Sequence, residues 1–129
     1  MPVTYDIDRS SGIIRTRCVG VVTVEDVVSH FEELVRDPEC PRHLDVLLDL
    51  SEMTSSPTSA KLRTAAEAVR GVRDRVQFGA CAILVSTDAL HGSAMIFEVL
   101  AARSFQISRI FRERSEAEAF LARQRSGRG

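Results

Sequence analysis

Residues 45–69, DVLLDLSEMTSSPTSAKLRTAAEAV, decide the fold class of this chain. The stretch begins with a nearly continuous apolar run, continues through a polar Ser/Thr loop, and ends in an amphipathic helical pattern. Apolar runs of this kind suit strands that helices cover on both faces. A strand, a loop and a helix in this order form the repeating unit of a parallel sheet, so the stretch predicts an α/β protein.

The same alternation extends along the rest of the sequence. A β-hairpin is predicted within residues 3–22, and Thr23 with Asp26 forms a capping box at the start of the first helix. Further strands, each followed by a helical pattern, are predicted at residues 44–50, 78–85 and 106–111. The predicted order is β-β-α-β-α-β-α-β-α, a single α/β domain with a mixed, mostly parallel sheet of about five strands flanked by helices.

Local patterns predict the surfaces and ends of several helices. Apolar residues at helical spacing predict the buried stripe of the first helix: Val24, Val27, Val28, Phe31, Leu34 and Val35. The third helix is predicted to begin at Thr87 or Asp88 and to end near Ser104. A capping box formed by Ser115 and Glu118 predicts the start of the terminal helix.

Length and composition predict one domain without a membrane span. The chain has 129 residues, 44% of them hydrophobic, and a net charge of −1. Acidic and basic residues are interspersed, which argues against a basic surface for nucleic acid. The apolar runs are far shorter than the ~20 residues of a membrane span. The domain is expected at residues 1–122, with residues 123–129 as a flexible C-terminal tail.

The cysteines predict a reducing compartment. Cys18, Cys40 and Cys81 are odd in number and far apart, and no signal peptide precedes them, so a cytoplasmic location is expected. Cys40 and His43 have the C-x2-H spacing of metal ligands, but no second ligand pair is nearby. The sequence therefore predicts no metal site and no cofactor.

Two polar segments that follow predicted strands carry the candidate binding residues. Because the carboxyl ends of parallel strands meet at one edge of a sheet, both segments are expected to face a ligand or partner there. The candidates are Ser51, Ser55, Ser56, Thr58, Ser59 and Arg63 after the third strand, and Ser86, Asp88, His91 and Ser93 after the fourth. The alternative is that these residues cap helices and otherwise face solvent.

No motif in the sequence specifies a reaction. Four polar residues are expected at the same sheet edge: Asp49, Ser51, Ser86 and His91. Acid-base or nucleophilic catalysis requires such groups to be held together, but these residue types are common in loops. No catalytic residue is therefore assigned, and an enzyme is the third hypothesis.

The element order and three short segments resemble the STAS domain and the broader SpoIIAA-like group. The segments are GVVTVED at residues 20–26, LDLS at residues 48–51, and RIFR at residues 109–112 leading into SEA at residues 115–117. The resemblance covers residues 3–121 and is closest to small stand-alone bacterial proteins of unassigned function. It implies a non-enzymatic regulatory or protein-interaction module.

The same resemblance implies a candidate phosphorylation site. STAS anti-anti-sigma proteins carry an Asp-Ser-Ser-Gly-like motif at the start of the second helix, and the first serine is phosphorylated. The motif corresponds to residues 57–60, PTSA, which makes Thr58 the candidate. Pro57 and Ala60 replace the acidic residue and the glycine. The sequence therefore favours Thr58 as a helix N-cap over Thr58 as a phosphorylation switch.

Two binding hypotheses follow. The first is a module that binds a protein partner, or a second copy of itself, through residues 51–63. The second is a binder of a small apolar or amphipathic ligand, as in the CRAL-TRIO lipid-binding domains that share the fold, at residues 86–93 and the third helix. That helix carries apolar residues beyond one stripe, including Met95, Ile96 and Val99, which fit either a homodimer or a ligand cavity.

Overall fold

The computed structural model describes residues 2–128 and shows the predicted alternation of strands and helices. The elements are β1 (Val3–Asp8), β2 (Ile13–Gly20), α1 (Val24–Arg36), β3 (His43–Met53), α2 (Ser59–Gly71), β4 (Gln77–Leu84), α3 (Asp88–Leu100), β5 (Ile107–Phe111) and α4 (Arg114–Arg128). The α/β class and the mixed five-stranded sheet are confirmed. Met1 and Gly129, the outer limits of the predicted domain and tail, lie outside the described residues.

The five strands form one sheet in the order β1-β2-β3-β4-β5. Strand β1 pairs antiparallel with β2 at one edge, and all the other neighbours are parallel. Each crossover therefore advances by one strand in the same direction. Because such crossovers are right-handed, α1, α2 and α3 lie on the same face of the sheet. Helix α4 follows the last strand and packs on the opposite face.

This topology leaves two apolar cores. The larger core lies between the sheet and helices α1 to α3, and its fully buried members include Ile14, Leu34, Leu44 and Ile83. The smaller core lies under α4 and contains Ile13, Leu47, Ala80, Ala82, Ala117, Phe120 and Leu121. Strictly sequential strand order also means that the three crossover helices, α1 to α3, do not change face. The crevice at which open α/β sheets usually bind ligands is therefore not formed.

The helix starts that depend on local chemistry agree with the sequence. Thr23 and Asp26 form a complete capping box at α1. Thr58 caps α2 by accepting the Lys61 N–H at 3.2 Å, and Thr87 caps α3. Each cap satisfies a backbone N–H that has no partner within its helix.

Three predicted boundaries are wrong. Strand β3 continues through Met53, so Ser51 lies within a strand rather than in the loop. Helix α3 ends at Leu100, four residues before the predicted end. Helix α4 begins at Arg114, and Glu118 does not complete a capping box because it accepts two hydrogen bonds from Arg15, at 2.7 and 3.0 Å. A paired guanidinium binds a carboxylate more strongly than a backbone N–H does.

Helix α4 also continues through residues 123–128, where the sequence predicts a solvated tail. The flexibility of this segment stays a prediction. Between residues 2 and 128, no helix combines the length and the apolar character that crossing a bilayer requires.

Candidate functional site

The buried face of α1 is centred on a histidine. His30 is 7% exposed, whereas Val28 and Val35, predicted to be buried, are 36% and 38% exposed. His30 lies three residues after Val27 and four residues before Leu34, which places all three on one side of the helix. The helix is therefore rotated from the predicted stripe, and an imidazole enters the larger core.

Aromatic contacts hold the His30 ring in place. Its centroid lies 5.2 Å from that of Tyr5 and 4.9 Å from that of Phe31, both in edge-to-face geometry. The Tyr5 hydroxyl donates to Asp37 at 2.7 Å, away from the imidazole. Among the described residues, His30 Nδ1 is the buried side-chain polar atom that has no hydrogen-bond partner. Burial lowers the pKa of His30 to about 4, so the ring is neutral near pH 7.

The imidazole lines an apolar cavity of about 150 Å³ between the helix layer and the sheet. The wall is almost entirely apolar and is built from all three helices and from strands β1 to β4. Its members include Val27, Leu62, Ala94 and Phe97 on the helices, and Val46 and Ile83 on the sheet. A dry apolar cavity of this size accommodates a molecule such as benzene.

The cavity reaches the surface at the starts of α1 and α2. Thr23 and Lys61 are the exposed residues among those that line it. The loop between β3 and α2 lies beside this opening, where Ser55 Oγ accepts the Val22 N–H at 3.2 Å and Pro57 lines the wall. The opening therefore lies at the carboxyl ends of the parallel strands, while the body of the cavity lies within the core.

Two of the three cysteines belong to the cavity wall. Cys18 and Cys81 are buried, free of disulfide bonds, and line the apolar space. Burial raises the pKa of Cys18 to about 12 and raises that of Cys81 further. Both side chains are therefore neutral thiols at neutral pH, and they contribute apolar surface rather than a nucleophile.

The candidate residues after β3 have different surroundings. Ser51 donates from both its N–H and its hydroxyl to Asp49 Oδ1, at 2.9 and 2.6 Å. Ser55 lines the cavity and holds the adjacent loop. The remaining candidates are exposed on the loop or on α2: Ser56, Thr58, Ser59 and Arg63.

The candidate residues after β4 also lie in different surroundings. Ser86 donates to the Ser51 carbonyl oxygen at 2.7 Å, so these two predicted residues do come together. Asp88 accepts from Arg112 at 2.7 Å, which holds the pKa of its carboxyl below the ordinary value. His91 is half-buried on α3, and Ser93 lines the cavity.

Of the four residues considered for catalysis, Asp49, Ser51 and Ser86 are joined by hydrogen bonds, but His91 lies apart from them. Asp49 lies on the face that α4 covers, and it pairs with Arg114. Burial raises the pKa of Asp49, but hydrogen bonds from Ser51 and Arg114 outweigh it, so the pKa lies below its ordinary value. His91 lies on α3, on the other face of the sheet. Adjacent strand residues point to opposite faces, which separates groups that lie close in sequence.

The polar part of the second face is a surface of ion pairs. Its arginines are paired with carboxylates: Arg15 with Glu118, Arg17 with Glu52, and Arg114 with Asp49. Because these three guanidinium groups already have carboxylate partners, they offer little positive charge to an anionic ligand. In the part of the chain that the structure describes, no three His, Cys, Asp or Glu side chains are grouped as metal ligands.

No protein-family model matches the chain, and no curated protein is significantly similar to it.

Sequence reasoning missed polar residues that line the cavity, among them Thr16, His30 and Lys61. His30 could have been found from its spacing to Val27 and Leu34, which places it on the buried stripe. Lys61, which was not among the predicted site residues, lines the cavity opening because it lies in the first turn of α2. No sequence signal announces the cavity itself, because empty space is a property of the packed layers.

Proposed function

We propose that this chain binds a small apolar or amphipathic molecule in the cavity between its helix layer and its sheet. The observation that carries the proposal is an apolar space of about 150 Å³ in the core of a domain this small. Protein interiors are normally packed without voids much larger than a water molecule. The residues around a void lose dispersion contacts, and a bound apolar molecule restores them.

The position of the opening supports an amphipathic ligand as well as a purely apolar one. Lys61 is the only lysine of the chain and lines the opening. Between residues 2 and 128, its ammonium group takes part in no ion pair. A ligand with a polar end is therefore able to place that end in solvent beside Lys61 while its apolar body is buried.

Membership in the SpoIIAA-like group is part of the same proposal. It is supported by the β-β-α-β-α-β-α-β-α order. A cytoplasmic location, favoured by three buried free cysteines, also belongs to the proposal. We now favour ligand binding over partner binding. The cavity is a feature that a ligand would fill, whereas residues 51–63 offer mainly helix-capping contacts.

Toluene is expected to bind in the cavity and to raise the melting temperature. At ten times its Kd, a ligand that binds only the folded state adds about 1.4 kcal/mol to the free energy of unfolding. For a domain of this size, that corresponds to a rise in Tm of several degrees. Differential scanning calorimetry measures the shift, and isothermal titration calorimetry measures the Kd.

Two variants with the same change in side-chain volume test the location of the bound toluene. Ala65→Leu extends a half-buried side chain that lines the cavity, and Ala119→Leu makes the same change at an exposed position on α4. Toluene is expected to stabilise Ala119→Leu as it does the unmodified chain, and to lose its effect on Ala65→Leu. Equal stabilisation of both variants, or of neither, would contradict binding in this cavity.

A second candidate function, self-association, is favoured by an exposed apolar strip on α3. Met95, Ile96 and Val99 are 53%, 42% and 78% exposed and lie on one side of the helix. We expect Val99→Glu to weaken a homodimer by at least tenfold in Kd, measured by sedimentation equilibrium. Arg63→Glu serves as the control within residues 51–63. A chain that is monomeric at all concentrations would contradict this candidate, and weakening by Arg63→Glu alone would favour the other surface.

A further inference from the structure

The cavity contains one feature that a purely apolar ligand leaves unsatisfied. His30 Nδ1 is buried without a hydrogen-bond partner, and the His30 ring lines the cavity. Buried polar atoms in native proteins almost always have a partner, so an orphaned one inside a binding cavity indicates where a ligand atom belongs. The environment of this atom indicates the chemical class of the ligand, an inference that rests on the proposed function.

The surroundings of His30 provide no partner from the protein. Tyr5 and Phe31 present ring edges and faces to the imidazole rather than polar atoms. The Tyr5 hydroxyl is committed to Asp37 at 2.7 Å. The remaining neighbours along the buried side of α1, Val27 and Leu34, are apolar. Nδ1 therefore has no hydrogen-bond partner in the part of the chain that the structure describes, and a ligand atom that reaches it would supply one.

The charge state of His30 restricts the ligand to a neutral group. Burial lowers the pKa of His30 to about 4, so the imidazole is uncharged at neutral pH. A neutral imidazole has one nitrogen that donates and one that accepts, and either tautomer is possible. A hydroxyl group both donates and accepts, so it bonds Nδ1 in either tautomer. A carboxylate or an ammonium group inside this apolar wall would be a buried and unpaired charge.

The volume restricts the size of the ligand. A cavity of about 150 Å³ accepts a single six-membered ring with one or two further non-hydrogen atoms. Bicyclic compounds and long acyl chains need more space unless part of the molecule leaves through the opening at Thr23 and Lys61.

We infer that the cavity selects a neutral, singly hydroxylated apolar molecule of about seven or eight non-hydrogen atoms, a simple phenol or an alcohol, whose hydroxyl bonds His30 Nδ1. The apolar body of the ligand fills the space between the helices and the sheet. In this arrangement His30 determines specificity, and the apolar wall provides most of the affinity.

Phenol and toluene test this inference because they have nearly the same shape and differ by a hydroxyl in place of a methyl group. The unmodified chain is expected to bind both. His30→Phe keeps an aromatic ring beside Tyr5 and Phe31 but removes Nδ1. It is expected to raise the Kd of phenol about tenfold and to change the Kd of toluene by less than about twofold. Isothermal titration calorimetry measures all four Kd values.

Ile83→Val is the matched control, because it removes one methylene group from the cavity wall and no polar atom. It is expected to change the Kd values of phenol and toluene by similar factors. Toluene binding without phenol binding would overturn the hydroxyl inference alone. A chain that binds neither molecule would overturn the inference and the proposed function together.

A measurement on the unmodified chain covers the case in which His30→Phe does not fold. With ¹⁵N-labelled histidine, saturation with phenol is expected to move the Nδ1 resonance of His30, and saturation with toluene is expected to move it far less. Phenol binding that leaves the Nδ1 resonance unchanged would overturn the inference, because the hydroxyl would then lie elsewhere.

Discussion

Replacing Phe120 with alanine is expected to lower the free energy of unfolding by about 3–5 kcal/mol. Phe120 is 1% exposed and is the largest residue of the smaller core. Its ring centroid lies 5.4 Å from that of Phe111, and the Arg109 guanidinium carbon lies 5.6 Å from the ring centroid. Truncation removes these contacts and leaves a cavity where α4 meets the sheet.

The effect is large because α4 alone covers this face. The opposite face is covered by three helices, so the loss of one large side chain there leaves other contacts intact. Under α4, strand β4 presents Ala80 and Ala82, which are small enough for the helix to approach closely. Neither alanine is able to fill the space that Phe120 leaves, so the cavity stays open.

Urea denaturation followed by far-UV circular dichroism measures this loss. Ala122→Ser, at an exposed position two residues along α4, is the control and is expected to change the free energy of unfolding by less than about 0.5 kcal/mol. A loss below about 1 kcal/mol for Phe120→Ala would show that α4 does not pack on the sheet as described.

Acidification from pH 7 to pH 4 is expected to destabilise the chain by about 3 kcal/mol through His30 alone. The pKa of this imidazole is 6.5 in its ordinary state and is lowered to about 4 by burial in the folded chain. Because the imidazole is buried among apolar groups, its protonated form is unfavourable in the folded chain. Chemical denaturation at a series of pH values measures the effect.

The direction follows from proton uptake. As the pH falls below 6.5, the unfolded chain gains a proton at His30, while the folded chain gains it only near pH 4. Between these values the unfolded state binds more protons, so the free energy of unfolding decreases as the pH decreases. The loss is negligible above about pH 7 and levels off below about pH 4.

Carboxyl groups affect stability at lower pH. Arg15 holds the pKa of Glu118 below its ordinary value of 4.5, so the stabilisation from this pair is present above that pH and is lost as the pH falls below it. The interval from about pH 5 to pH 7 therefore reports mainly on His30.

His30→Phe is expected to remove most of the pH dependence in this interval. Ile83→Val lowers stability without removing a titrating group, so it is expected to keep the slope of the unmodified chain. A slope that is the same for His30→Phe and the unmodified chain would mean that the pKa of His30 does not change on folding, which contradicts its burial in an apolar cavity.

Local sequence signals predicted the helix starts well because short-range contacts create them. Thr23, Thr58 and Thr87 each bond a backbone N–H within three residues, and this geometry needs no distant partner. The Ser115–Glu118 capping box failed for the opposite reason. Glu118 has a stronger partner in Arg15, which is 103 residues away in sequence and adjacent in space.

The candidate site was predictable only in part. Ser55 and Ser93, both named from the sequence, do line the cavity. His30 has the helical spacing of a core residue, but an isolated histidine between apolar residues does not show whether it finds a partner. That question depends on Tyr5, whose hydroxyl bonds Asp37 rather than the imidazole.

Periodicity and capping, which act over a few residues, were enough to predict the order of strands and helices, the antiparallel hairpin at the start and the capped starts of α1, α2 and α3. Tertiary structure alone decided which face each helix covers, that Asp49 meets Arg114, and that a cavity lined by His30 lies between the layers. These features arise where elements distant in sequence meet. The right-handed crossovers bring three helices to one face, and the space left between them depends on how all of their side chains pack together.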